Sequence, residues 1–285
     1  MAKQRRKQHK VLRRLLLLLV VGLIALWWGN TSIQTEQFTF SSAALPAGFD
    51  GCRAAVLTDL HGAEFGKENG KLVAAVEEQS PDVIFLVGDL VDENTQDAAD
   101  YAASLGAALA NLAPTYYVTG NHEWARGTEE TERIKTALTD SGVTVLSNEF
   151  CTLSRGDDTI VLAGVDDPNG YADQKTPEQL RSEVQSAKGD CFSILLSHRD
   201  SVEYYDELGF SLTFCGHGHG GIFRIPLVDR GLLGTNHRFF PAYDGGLYEL
   251  EGGKACFISR GLGNIGASFR IFNRPQLAVI TLERG

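Results

Sequence analysis

The sequence predicts an α/β fold behind a separate apolar N-terminal segment, and three observations predict it. From residue 51 to about residue 210, apolar strand-like runs alternate with helical segments, the order that builds a sheet of parallel strands. After Ser211 helices thin out and glycine-punctuated short strands follow, which predicts a second, largely antiparallel sheet. Five of the apolar runs end in a short polar motif. In an open α/β sheet, ligands bind outside the carboxyl ends of the strands, so these five deliver their polar residues to one rim.

The N-terminus is the first element. Residues 1–14 carry seven Lys/Arg and no Asp/Glu, and residues 15–28 are uncharged and apolar, ending in Trp27-Trp28. Fourteen helical residues rise only about 21 Å at about 1.5 Å each, short of a hydrocarbon core of about 30 Å. Arginine snorkelling at one end, interfacial tryptophans at the other and residues 29–33 close that gap. The expectation is a single-pass transmembrane signal anchor over 15–33, with 1–14 cytoplasmic by the positive-inside bias. A cleaved signal peptide is the rival, because the apolar length suits one, yet no small-x-small site follows closely. Asn30-Thr31-Ser32 matches a glycosylation acceptor but would sit almost against the membrane.

Residues 34–50 read as a connector, with an extended Phe38-Thr39-Phe40 inside it, and 51–285 as one domain. Within that domain 54–57, 83–87, 116–118, 192–196 and 212–215 are the apolar runs that precede the motifs, and 143–146 and 159–162 are β-branched and strand-like. Helices are expected over 71–79, 98–112 and 128–139, the last with Thr128 as its N-cap and Gly142 beyond its end. Residues 246–250, 255–258 and 278–282 form the strand-rich tail.

Apolar residues make up 43% of the chain and charged residues 22%, the balance of a folded soluble body. The net charge of -10 hides a split: beyond residue 14 there are 19 basic against 36 acidic residues. No basic run occurs there, which argues against a nucleic-acid backbone as partner. The five cysteines are widely spaced with no CxxC, a pattern that fits neither a disulfide framework nor a zinc knuckle.

The motifs carry the chemistry. They are Asp59-Leu60-His61, Gly88-Asp89-Leu90-Val91-Asp92, Gly120-Asn121-His122-Glu123, Ser197-His198 and Gly216-His217-Gly218-His219. Five of the seven histidines fall inside them; His9 and His237 do not. Imidazole, carboxylate and amide oxygen delivered together are the donor set of a divalent metal site.

In that order the motifs resemble the calcineurin-like metallophosphoesterase superfamily, over about residues 59–219. Val165-Asp166-Asp167-Pro168 and Ser259-Arg260-Gly261-Leu262-Gly263 are similar to its membrane-associated, YkuE-like bacterial branch. The resemblance implies a sandwich of two mixed β-sheets flanked by helices. It also implies two divalent cations (Mn, Fe or Zn), the first on Asp59, His61, Asp89 and His219. The second would sit on Asp89, Asn121, His198 and His217, with Asp89 bridging. Ions about 3.5–4 Å apart share a hydroxide and lower the pKa of water from about 15.7 to about 7. At 1.36 kcal/mol per unit this eases ionisation by roughly 12 kcal/mol, more than the 10²–10⁴-fold a lone acid or base supplies. The resemblance makes His122 the group that protonates the leaving oxygen or stabilises the transition state, with Asp92 orienting its imidazole; a helix N-cap ahead of the 95–112 segment is the plain reading of Asp92. Gly218 stands where relatives carry Thr. Arg199-Asp200 follows His198 where relatives often carry proline, so Arg199 either reaches substrate phosphate or faces solvent.

The expected function is therefore a binuclear metal-dependent phosphohydrolase tethered at the outer face of the cytoplasmic membrane. It would act on a phosphorylated small molecule or a lipid-linked phosphoester or pyrophosphate. A soluble exported phosphatase released by signal cleavage and a catalytically retired scaffold of the same fold are the alternatives.

Overall fold

Two six-stranded mixed sheets packed face to face organise the chain. The structure, a computed structural model, describes residues 2–285 except 227, 229, 235–238 and 265–267, and omits the side chains of 2–5 and 7. The basic side chains Lys3, Arg5 and Lys7, and all of His237, lie outside the described residues.

Helix α1 (Ala2–Thr31) comes first, then strands β1 (Gln34–Ser41) and β2 (Cys52–Leu57), α2 (Gly70–Glu77) and β3 (Val83–Val87). Next are α3 (Ala98–Ala110), β4 (Thr115–Val118), α4 (Asn121–Ala125), α5 (Thr128–Asp140) and β5 (Thr144–Val145). The chain then runs through β6 (Glu149–Arg155), β7 (Asp158–Gly164), α6 (Pro177–Lys188), β8 (Ser193–Leu196), α7 (Val202–Leu208) and β9 (Leu212–Cys215). The tail holds β10 (Phe223–Ile225), β11 (Arg230–Leu233), β12 (Gly246–Glu249), β13 (Ala255–Ile258) and β14 (Gln276–Glu283). Thr128 opens α5, and Gly127 is its cap.

The first sheet runs β1-β14-β2-β3-β4-β5 and the second β12-β13-β9-β8-β7-β6. Strand residues alternate between two apolar environments. Val56, Phe85, Ile194, Phe214 and Phe257 fill the space between the sheets. Leu57, Ile84 and Leu86 face α2, α3 and α5 on one flank, whereas Leu195, Cys215 and Ile258 face α6 and α7 on the other. Strands apolar on both faces belong inside a covered parallel sheet, and the result is a four-layer α/β/β/α sandwich.

Two expectations need correction. The tail does not build a largely antiparallel sheet. β7, β8, β9 and β13 are mutually parallel at the centre of the second sheet, and only its edges β6 and β12 are antiparallel. β13 is buried on both sides, so it takes a central place beside β9, while β14 crosses to the first sheet and pairs antiparallel with β2. Nor are residues 34–50 all connector: β1 pairs in parallel with β14 over all eight of its residues, Gln34 opposite Gln276 through Ser41 opposite Glu283.

α1 is continuous where the sequence offered only a short apolar stretch. Gln8–Thr31 is 24 residues, apolar enough to cross a membrane and unburied by the rest of the protein. At about 1.5 Å per residue it spans about 36 Å, enough for a hydrocarbon core.

Candidate metal centre

The parallel strands of both sheets end at one rim, and the motif residues occupy the first turns beyond them. Asp59 and His61 follow β2, Asp89 follows β3 and Asn121 opens α4 after β4. His198 follows β8, and His217 and His219 follow β9. Five of these seven have backbone φ between 48° and 68°: Asp59, His61, Asp89, His217 and His219. Non-glycine residues hold that left-handed region at a cost of about 1–3 kcal/mol each, and such strain collects at functional sites.

The neighbouring glycines make the turns possible. A Cβ on Gly120 would overlap the Asp89 carboxylate, and one on Gly263 would overlap the Leu60 carbonyl oxygen. The Ser259–Gly263 motif thus lies against the Asp59–His61 turn, with Leu262 N donating to Thr58 O at 3.1 Å.

Six of the seven expected ligands fall into close groups, Asp59, His61 and His219 in one and Asp89, His198 and His217 in another, and a third group of His61, Asp89 and His122 links the two. His61 Nε2 faces His219 Nε2 at 3.1 Å, and His219 Nε2 lies 3.3 Å from Asp59 Oδ1. Asp89 Oδ2 lies 3.0 Å from His198 Nε2 and 3.8 Å from His61 Nε2, while its Oδ1 accepts the His122 backbone N–H at 2.8 Å. His198 Nδ1 meets the Val87 carbonyl at 2.9 Å, the contact that holds Nδ1 protonated and turns Nε2 to the centre. Asn121 Oδ1 is buried without a hydrogen-bond partner.

These features fit divalent cations. Asn121 Oδ1 and His198 Nε2 are buried without a hydrogen-bond partner, which is costly in a protein, and a cation satisfies both. Burial pushes the Asp59 carboxyl up to about 6. It pushes His61 down to about 4, and burial followed by the His198 charge takes His217 to about 3, so both imidazoles are neutral, the form that can bind a metal. Burial lowers His198 too, but the Asp89 and Asp59 carboxylates outweigh it and its pKa stands at about 10.

The fully buried Glu123 shapes the β3 turn. Its Oε1 accepts from Leu90 N at 2.7 Å and its Oε2 from Asp89 N at 3.0 Å and Gly120 N at 2.8 Å.

The orienting carboxylate differs from the one expected. Asp92 Oδ1 accepts from Asn94 N at 2.9 Å and Thr95 Oγ1 at 3.0 Å, so it caps its own loop. Glu93 instead places Oε2 3.0 Å from His122 Nδ1. In the sequence both acids follow Asp89 closely, and only the path of the turn decides which one points at the imidazole. Burial lowers the pKa of His122, but the Asp89 and Glu93 carboxylates prevail and raise it.

Arg199 faces the centre rather than solvent alone. The buried Asp167 accepts its Nε at 2.6 Å and its Nη2 at 3.1 Å, and Nη1 lies 3.2 Å from His217 Nε2. Sequence reasoning missed Arg270. It is buried, it contacts His219 Nδ1 at 3.2 Å, and it comes from the tail, fifty residues from any motif histidine.

Comparison with known proteins agrees with this geometry. Residues 52–221 match the calcineurin-like phosphoesterase family. YkuE of Bacillus subtilis, named an uncharacterised metallophosphoesterase, is 29% identical over 88% of this chain and 86% of its own length. A zebrafish (Danio rerio) transmembrane protein with a metallophosphoesterase domain is 29% identical over 84% of this chain, which spans 55% of that protein. The solved NAD nucleotidase of Haemophilus influenzae shares the fold, with a TM-score of 0.52 and 16% identity over 74% of this chain and 46% of that one. The chain belongs to the calcineurin-like metallophosphoesterases and is a hydrolase of phosphoester bonds.

Proposed function

We propose that this protein is a membrane-tethered phosphohydrolase working with two divalent cations. Asp59, His61, Asp89 and His219 would hold one, and Asp89, Asn121, His198 and His217 the other. The observation that carries this reading is the place of Asp89, whose Oδ2 faces both His61 and His198. Four imidazoles, two carboxylates and one amide suit Mn, Fe or Zn. Bound ions of this kind supply Lewis acidity, easing ionisation of coordinated water and neutralising phosphoryl charge.

The chain's own residues do the rest. His122, whose pKa its carboxylate neighbours raise, would give its proton to the leaving oxygen as general acid. Glu93 fixes that imidazole from the Nδ1 side, the task expected of Asp92. Arg199, braced by the Asp167 fork, presents its remaining N–H groups to the non-bridging phosphoryl oxygens. Water adds across a P–O bond, so the products are a phosphate or phosphomonoester and the protonated leaving group.

α1 supports the tether, and the basic residues before it support a catalytic body on the outer face of the cytoplasmic membrane. Metal analysis joined to hydrolysis of p-nitrophenyl phosphate, bis-p-nitrophenyl phosphate and pyrophosphate tests the reading. The expected result is two ions per chain and metal-dependent turnover of at least one substrate. A folded, metal-loaded sample inert on all three contradicts it and favours a retired scaffold. Intact mass of the mature protein tests the tether, since a start beyond Trp28 leaves a released enzyme.

A further inference from the structure

Beyond α1, the described residues expose six large apolar side chains, and five of them gather in one place: Val228, Phe239, Phe240, Phe269 and Phe272. They belong to one small layer. β10 pairs with β11, Phe239 bridges to Leu233 and Ile271 bridges to Phe223. Phe272 is 70% exposed and Phe239 69%. Clustered exposure of this kind marks a surface that meets a membrane or a ligand.

This layer is fastened to the end of α1. The Arg274 guanidinium lies 4.4 Å from the Trp28 ring centre and donates to Ser32 Oγ at 2.7 Å. Asn30 Oδ1 accepts the Arg270 backbone N–H at 2.7 Å. Between helix and layer lies a cavity of about 740 Å³, apolar where Leu26, Trp28, Phe269 and Phe272 line it and basic where Arg260 and Arg270 do. Arg260 is paired with Glu36 at 2.5 Å. Among the described residues no carboxylate lies within ion-pair distance of Arg270, although the Asp59 carboxylate acts on it from farther off. Arg270 is 3% exposed and donates only to the Gly263 and Arg260 carbonyls besides its contact with His219 Nδ1. A buried guanidinium with no carboxylate in direct contact can take an anion, because buried charges are normally paired.

We propose that this cavity takes a phosphate-bearing lipid directly from the bilayer, with acyl chains along Leu26, Trp28 and the two phenylalanines and the phosphate against Arg270, one side chain from His219. The occupant is a bilayer lipid because the cavity wall is itself the membrane helix, the exposed aromatics sit beside the interfacial tryptophans, and the charge is complementary. The inference rests on the phosphohydrolase reading and deepens it by naming the substrate class: an amphiphilic phosphoester presented at the membrane.

The test uses the full chain in phosphatidylcholine vesicles doped with phosphatidic acid carrying a diazirine on its acyl chain. Photolabelling is expected on Leu26 and on the 269–272 segment, and unlabelled phosphatidic acid competes while inorganic phosphate does not. Gly29→Trp, which fills the cavity from a position where a Cβ meets nothing within 4 Å, is expected to cut labelling of 269–272 about tenfold. Phe272→Ser, at an exposed position that folding does not need, is expected to cut it severalfold. Labelling spread evenly along α1 and indifferent to both variants overturns the proposal, as does equal competition by inorganic phosphate. Wild-type turnover of p-nitrophenyl phosphate, bis-p-nitrophenyl phosphate and pyrophosphate, taken together, is measured alongside. Its absence with site-specific labelling intact breaks the hydrolase reading and leaves a lipid site; its presence with uniform labelling breaks only the lipid site.

Discussion

The two sheets contribute unequally to the shared rim. The first delivers Asp59, His61, Asp89 and Asn121 from the ends of β2, β3 and β4, and so supplies both carboxylates and the amide. The second delivers His198, His217 and His219 from β8 and β9, and supplies imidazoles alone. Neither sheet carries a complete ligand set. The two groups meet only because Phe85 of the first sheet and Phe214 and Phe257 of the second pack together beneath them, with ring centres 5.2 Å apart for Phe85–Phe214. The candidate metal centre therefore rests on the inter-sheet core, and damage to that core is expected to reach the rim.

Substitutions can break or sharpen this contrast. Asp89→Ala removes the carboxylate that faces both ligand groups, and turnover is expected to fall by about 10⁵ or more with both ions lost; retention of one ion at full occupancy would show the sheets acting independently. His122→Ala is expected to keep both ions while kcat drops by about 10²–10⁴, so parallel metal analysis and kinetics separate a proton donor from a ligand. Phe214→Ala, in the inter-sheet core, is expected to cost about 3–5 kcal/mol of stability in thermal or denaturant unfolding and to weaken metal retention with it. Arg199→Ala acts from the second sheet's side and is expected to raise KM about tenfold with a smaller change in kcat. Smallest is the Glu93→Gln and Asp92→Asn pair: the first lowers kcat severalfold and moves the alkaline limb of the pH profile, where His122 loses its proton, to lower pH, whereas the second changes stability by about 1 kcal/mol or less and leaves that profile in place.

Much of the rim was legible because its signals are local. A buried strand announces itself as an apolar run, and the ligands sit within four residues of the strand's end, so Asp59, Asp89, Asn121, His198 and His217 could be placed on one edge without knowing the sheet order. What escaped was non-local. β1 alternates half-buried and exposed residues like any loop-edge strand, and its partner β14 lies some 240 residues later. β13 resembles other tail strands, and its parallel place beside β9 depends on where the chain returns after residue 216. The choice of Glu93 over Asp92 turns on the path of one loop. Arg270 had no motif to mark it, and the left-handed backbone at five of the candidate ligands leaves only a faint trace in residue type, since Asp and His are enriched in that region yet common elsewhere.

The central claim is that one carboxylate, Asp89, ties two ions into a single centre. Electron paramagnetic resonance of the full chain loaded with Mn²⁺ tests it most directly. The account predicts a spin-coupled dimanganese signal in the wild type that collapses in His217→Ala to the hyperfine pattern of an isolated ion. A fully loaded wild type showing only isolated Mn²⁺ would contradict it.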